Sequence, residues 1–129
     1  MLPHKHFLIA GGLAAIAAFF FQTSLFEGVV WVVIAGIVSV LIDIDAVVAV
    51  NVSKQLREEF SNPLDMFRKY EGLLEELKGT GIINILMVTH VILSAAALIV
   101  TFVYFEAYLV SVLIGVFSHL LVDVYEMIK

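Results

Sequence analysis

Apolar residues along the chain collect into four runs, at about 3–22, 28–50, 82–105 and 107–127, with a charged stretch between the second and the third. Each run is close to or above the roughly 20 residues that a helix needs to cross bilayer hydrocarbon. The junction at 23–27 is short and the last one centres on Glu106, so the runs pair into two tight helical hairpins. Pro3 suits a first helical turn. The stretch 51–81 carries its own pattern. Ser61-Asn62-Pro63 is a cap followed by proline at the first helical position, Leu64, Phe67, Leu74 and Leu77 recur at helical spacing, and Gly79 stands where a helix stops. This predicts an amphipathic helix at the headgroups or folded over the bundle mouth, acting as a connector. The expected fold is all-α: one integral membrane domain over 1–129, four transmembrane helices as two hairpins plus the connector.

Composition strengthens that picture. Hydrophobic residues make up 62% of the 129 positions, against roughly 45–50% in ordinary soluble domains. The absence of cysteine removes disulfides, thiolate ligands and a cysteine nucleophile. A net charge of −5 without a basic stripe argues against nucleic acid as a partner. The first apolar run has only a thin basic lead, His4-Lys5-His6, and no small-x-small cleavage site before Gln22, so it reads as a retained helix rather than a signal peptide. Outside 54–78 the only basic residues are Lys5 and Lys129. The positive-inside rule then puts both termini and the central stretch in the cytoplasm and both short turns outside the cell membrane.

A weak repeat links the hairpins. His6-Phe-Leu-Ile-Ala-Gly-Gly is similar to His90-Val-Ile-Leu-Ser-Ala-Ala, and the partner helices carry Gly36, Ser39, Asp43 and Gly115, Ser118, Asp123. The hairpins run the same way through the membrane, as a parallel repeat requires.

The chemistry sits inside the spans, where ionisable residues are expensive and mark function. Asp43 and Asp45 lie in the second run, His90 in the third, and His119, Asp123 and Glu126 in the fourth, with no lysine or arginine beside them. Carboxylates buried without a basic partner must neutralise or coordinate a cation, and histidines among them favour a metal. At about 1.5 Å per residue, Asp43 and His90 lie roughly 12 Å from the cytoplasmic ends of their helices, Asp123 about 9 Å and His119 about 15 Å from Lys129, with His6 near the first turn. The candidate ligands are therefore His6, Asp43, Asp45, His90, His119 and Asp123. His119 and Asp123 share a face with Gly115 and Ser111, Asp43 with Ser39 and Gly36, and His90 with Ser94 and Ala97. Small residues mark close helix approach, so these faces point inward. Asp45, two residues from Asp43, joins only where the helix ends or unwinds near Ile44. His4 reads as a surface residue.

At these residues the chain resembles the YdjM-like membrane-bound metal-dependent hydrolases. The match runs through His6 in HKHFLIAGG, LIDID at Asp43 and Asp45, Thr89-His90, and SHLLVD from Ser118 to Asp123, and so spans nearly the whole chain. Ile42 stands in place of that family's proline and Val91 in place of its serine after the histidine. The arginine often preceding Thr89 is missing, which removes a phosphate clamp; Lys54, Arg57, Arg68 or Lys69 are the substitutes at hand. The resemblance implies a hydrolase.

The expectation is thus a metal-dependent hydrolase open to the inner leaflet, acting on lipid head groups or phosphate esters. Oxygen and nitrogen ligands without sulfur suit zinc, and also manganese, iron or nickel. The ligands suffice for one saturated ion or two open ones, with Asp45 or Glu126 as general base. The alternatives are a metal-ion or proton translocator and a non-enzymatic partner protein stapled by metal. Polar residues outside the inner halves (Gln22, Thr23, Thr101, Tyr104) cluster at the turns, which disfavours a through-path.

Overall fold

A computed structural model of the chain describes residues 3–52, 70–79 and 81–128. The described residues are helical, with no strand among them. Helix α1 spans Pro3–Phe20. It ends in a Schellman turn: Gln22 takes a left-handed φ of 54°, its N–H donates to Phe19 O, and Thr23 N–H donates to Ala18 O. Two residues later Ser24 opens α2, Leu25–Leu41, through a capping box in which Ser24 and Glu27 each satisfy the other's backbone N–H. The turn thus occupies 21–24, and the second helix starts three residues earlier than its apolar pattern predicts.

The second apolar run is not one smooth helix. Asp43 N–H donates to Val40 O and Ala46 N–H to Asp43 O, three-residue spacings that tighten the chain at Ile42–Asp43 before α3, Ile44–Val52, begins. Helix α4, Tyr70–Gly79, ends where the sequence expects the connector to stop. The predicted start at Ser61-Asn62-Pro63, with Leu64 and Phe67, lies outside the described residues, as do Lys54, Arg57, Arg68, Lys69 and Lys129. Gly81, at a left-handed φ of 74°, leads into α5, Ile82–Tyr104. A single 3-10 turn at Glu106–Tyr108 then reverses the chain into α6, Leu109–Ile128.

Among the described residues three segments are long and apolar enough to cross a membrane: Leu25–Val48, Ile82–Tyr104 and Glu106–Glu126. The first helix is shorter, with its apolar part at His4–Phe20.

Packing runs opposite to that of a water-soluble core. The largest fully buried side chains are His6, His119, Ser39 and Ser111, while Phe19, Phe20, Leu25, Phe26, Phe102 and Phe117 face outward. Small residues therefore make the contacts. Ala10, Ala14 and Ala35 form one cluster with Trp31, Val32 and Ile114, which joins α1, α2 and α6. Ile42, Val112 and Val116 form another with Val38, Ala97 and Leu98, which adds α5. A Cβ on Gly115 would stand 2.7 Å from Ala35 O, so the α2 backbone lies directly on α6 there. The Phe7 ring fills the space above Gly36, where a Cβ would be 2.6 Å from it. These two glycines set the approach of three helices, and that approach brings the polar ends together.

Candidate metal centre

Four helices contribute to one polar cluster at the end of the bundle where α2 breaks. His6 comes from the first turn of α1, Asp43 from the tightened turn after α2, His90 from α5, and His119 and Asp123 from successive turns of α6. Asp43, His90, His119 and Asp123 each offer a ligand atom, and these atoms all lie within 4.8 Å of one another.

The separations within the cluster carry the chemistry. His90 Nε2 lies 3.4 Å from Asp43 Oδ1 and 3.6 Å from Asp123 Oδ2. His119 Nε2 lies 3.6 Å and 3.0 Å from the same two oxygens. His6 Nε2 lies 3.8 Å from Asp43 Oδ2 and 3.6 Å from Asp123 Oδ1. Most of these exceed the roughly 2.7–3.2 Å of an N–H···O hydrogen bond. They match the edges of a coordination polyhedron, which are about 3.0–3.5 Å when metal–ligand bonds are about 2.1 Å. Only the His119–Asp123 pair, at 3.0 Å, is within hydrogen-bond range; the nitrogens of His6 make no hydrogen bond to any described group. Both rings are fully buried. A buried imidazole without a partner is costly, so the donor set fits a cation held among these atoms.

His90 is set differently. Its Nδ1 lies 2.8 Å from Leu86 O and 2.8 Å from Asp45 Oδ2. A carbonyl can only accept, so Nδ1 carries a proton, and Nε2 is the ring atom that faces Asp43 and Asp123. Thr89 also donates its hydroxyl to Asp45 Oδ2. Asp45 therefore stands behind His90, on the far side of the ring from the shared centre. This differs from the ligand and general-base roles expected for it. The helix break at Ile42–Asp43 turns Asp45 towards α5, whereas in an unbroken helix it would face nearly opposite to Asp43. A carboxylate behind a ligating histidine fixes the tautomer and raises the ring's basicity.

Glu126 lies three residues beyond Asp123, half-buried, and is not one of the four residues whose ligand atoms gather. His4 is exposed. Sequence reasoning gave no role to Thr89 beyond the family match, nor to the hydroxyls of Ser39 and Ser94 beyond helix facing. Both serines are buried without a hydrogen bond to any described group, one turn from Asp43 and from His90. Their shared faces with those residues are the signal that marks them. The histidines are nearly sealed, while Asp43 keeps 23% of its side chain exposed, so access is from the α2–α3 break.

The fold and the cluster together define a helical bundle with membrane-length helices and a group of aspartates and histidines able to hold a metal ion. The chain matches no protein-family model, no curated protein and no solved structure.

Proposed function

We propose that the protein is a metal-dependent hydrolase of the cell membrane, with four spans, both termini and residues 54–78 cytoplasmic, and a centre that opens towards the inner leaflet. The observation that carries the metal is the set of six nitrogen–oxygen separations between 3.0 and 3.8 Å among three histidines and two aspartates. Support for a fourth span comes from α1: its 18 residues reach about 27 Å at 1.5 Å per residue, just short of a hydrocarbon core of roughly 30 Å. Beyond His4 and Lys5 the outward side chains of α1 are apolar, among them Leu8, Leu13, Ile16, Phe19 and Phe20.

A bound divalent ion supplies a Lewis acid and lowers the pKa of water at its open position. The chain's own residues do the rest. His90, held by Asp45, to which Thr89 donates in turn, and His119 fix one side of the centre, and the exposed edge of Asp43 admits substrate. Glu126 is the carboxylate at hand for proton transfer. The depth of the centre and its opening favour lipid head groups or other phosphate esters, and zinc, with manganese, iron or nickel as its competitors.

Purified protein loaded with zinc or manganese should cleave a lipid-like phosphodiester, phosphomonoester or ester reporter. A chelator should abolish the cleavage and added metal restore it. Metal binding without turnover over that panel would remove the hydrolase and leave the metal centre. Single cysteines introduced at Glu27 and Glu106 should label from outside the cell and one at Lys78 from inside; the reverse pattern would invert the topology.

A further inference from the structure

The two carboxylates of the cluster do not present themselves evenly to the three histidines. Asp43 turns Oδ1 to His90 and His119 and Oδ2 to His6. Asp123 turns Oδ2 to His90 and His119 and Oδ1 to His6. Each aspartate thus divides its oxygens in the same way, one towards a pair of histidines and one towards the third.

The rings divide likewise. His90 and His119 have centroids 5.3 Å apart, close to the separation of about 5 Å for two imidazoles at tetrahedral angles on one ion with bonds of about 2.0–2.1 Å. His6 and His119 are 4.3 Å apart with planes only 30° from parallel, so they lie face against face. An ion bound by an imidazole lies in the plane of that ring, about 2.0–2.1 Å from the nitrogen. A spacing of 4.3 Å is tighter than that tetrahedral separation, so His6 does not join His119 on one tetrahedral ion as His90 does. An ion on each of two stacked rings would instead stand at about the ring spacing, near the roughly 3.5–4 Å between the ions of two-metal sites.

The geometry points to two divalent ions bridged by both aspartates: one on His90, His119, Asp43 Oδ1 and Asp123 Oδ2, the other on His6, Asp43 Oδ2 and Asp123 Oδ1. This rests on the metal centre of the proposed function and adds its nuclearity and its polarity. The first subsite has four protein ligands and is closed. The second has three, the number that leaves a position for water or substrate. Two of its three donors, His6 Nε2 and Asp43 Oδ2, are buried atoms without a hydrogen bond to any described group. By its ligand count the His6 ion is the one with a position to fill, and an oxyanion such as a phosphoryl group could span both ions.

Metal analysis of the wild-type protein in detergent, after loading with zinc and removal of loose metal, should find two ions per chain. Loading with manganese(II) should give the spectrum of an exchange-coupled pair in electron paramagnetic resonance. His6→Ala should keep one ion and convert that spectrum to the six-line pattern of an isolated ion. One ion in the wild type, or two without coupling, overturns the bridged pair and leaves the single-metal hydrolase standing. No ion at all removes both. A folded His6→Ala protein that binds two ions or none also overturns the assignment. If that variant does not fold, the wild-type stoichiometry and coupling decide.

Discussion

Asp43 and Asp123 meet the same three histidines but are carried there by unlike pieces of chain. Asp123 sits in unbroken α6, one turn after His119, and its position follows from helical spacing alone. Asp43 sits on a turn where α2 tightens and stops, held by three-residue hydrogen bonds on both sides. A continuous helix places its ligands cheaply but can present only one face. The interrupted one presents two: Asp43 enters the centre, and Asp45 reaches across to the back of His90. The irregular segment thus supplies both a candidate ligand and the means of orienting another, and the regular one supplies a rigid pair. Ordered donors around a metal need such outer support to hold their direction.

The comparison breaks most directly at the aspartates themselves. Asp43→Ala and Asp123→Ala should each abolish metal binding at micromolar zinc, by isotope or dye competition, because each removes donors from every histidine pair. Retention of metal by Asp43→Ala alone would make the broken segment a mere neighbour of the centre. The next effect tests what presses the two segments together. Gly115→Ala puts a methyl group 2.7 Å from Ala35 O and must push α2 off α6, at a cost of about 1–3 kcal/mol for overpacking and with weaker metal binding. Gly12→Ala, with nothing within 4 Å of its Cβ, should leave affinity unchanged and the fold as stable or slightly more so, because alanine suits a helix interior better than glycine. Equal behaviour of the two would discard the close contact.

Asp45→Asn should leave the ions bound but lower affinity about 10–100-fold, the usual cost of losing an outer partner of a ligating histidine. Nitrogen-15 shifts of His90 in metal-free protein should show its tautomer no longer fixed. Loss of all metal would restore Asp45 as a direct ligand. Thr89→Val should have the smallest effect, less than that of Asp45→Asn and in the same direction. Acidification acts on both segments at once: protons compete for imidazole nitrogen, so occupancy should fall as the pH drops through the range near 6.5 where free imidazole protonates.

Much of this arrangement was legible in the sequence. Hydropathy located the hairpins, and Glu106 marked the last turn within a residue. Depth arithmetic along helices of known rise placed His6, Asp43, His90, His119 and Asp123 at one end of the bundle. The place of Asp45 was not legible, because periodicity puts residues 43 and 45 on opposite faces and nothing apolar signals a break inside LIDID. Ser24 and Glu27 have the spacing of a capping box, but the apolar run begins only at Gly28, later than the helix, and so leaves both in the turn. Which oxygen of each carboxylate faces which histidine depends on side-chain rotation, and no one-dimensional pattern records that.

His6 and Asp123 lie more than a hundred residues apart in the chain and within 3.6 Å in space. An ion shared between them would be a clasp on almost the whole polypeptide. Closing so long a loop costs more configurational freedom than closing a short one, though the cost grows only slowly with length. Binding energy at such a clasp would correspondingly be spent on holding the first helix to the last. Stripping the metal should then free the His6 end of α1 first, read as protease sensitivity there, before the alanine seam between α1 and α2 gives way along its length.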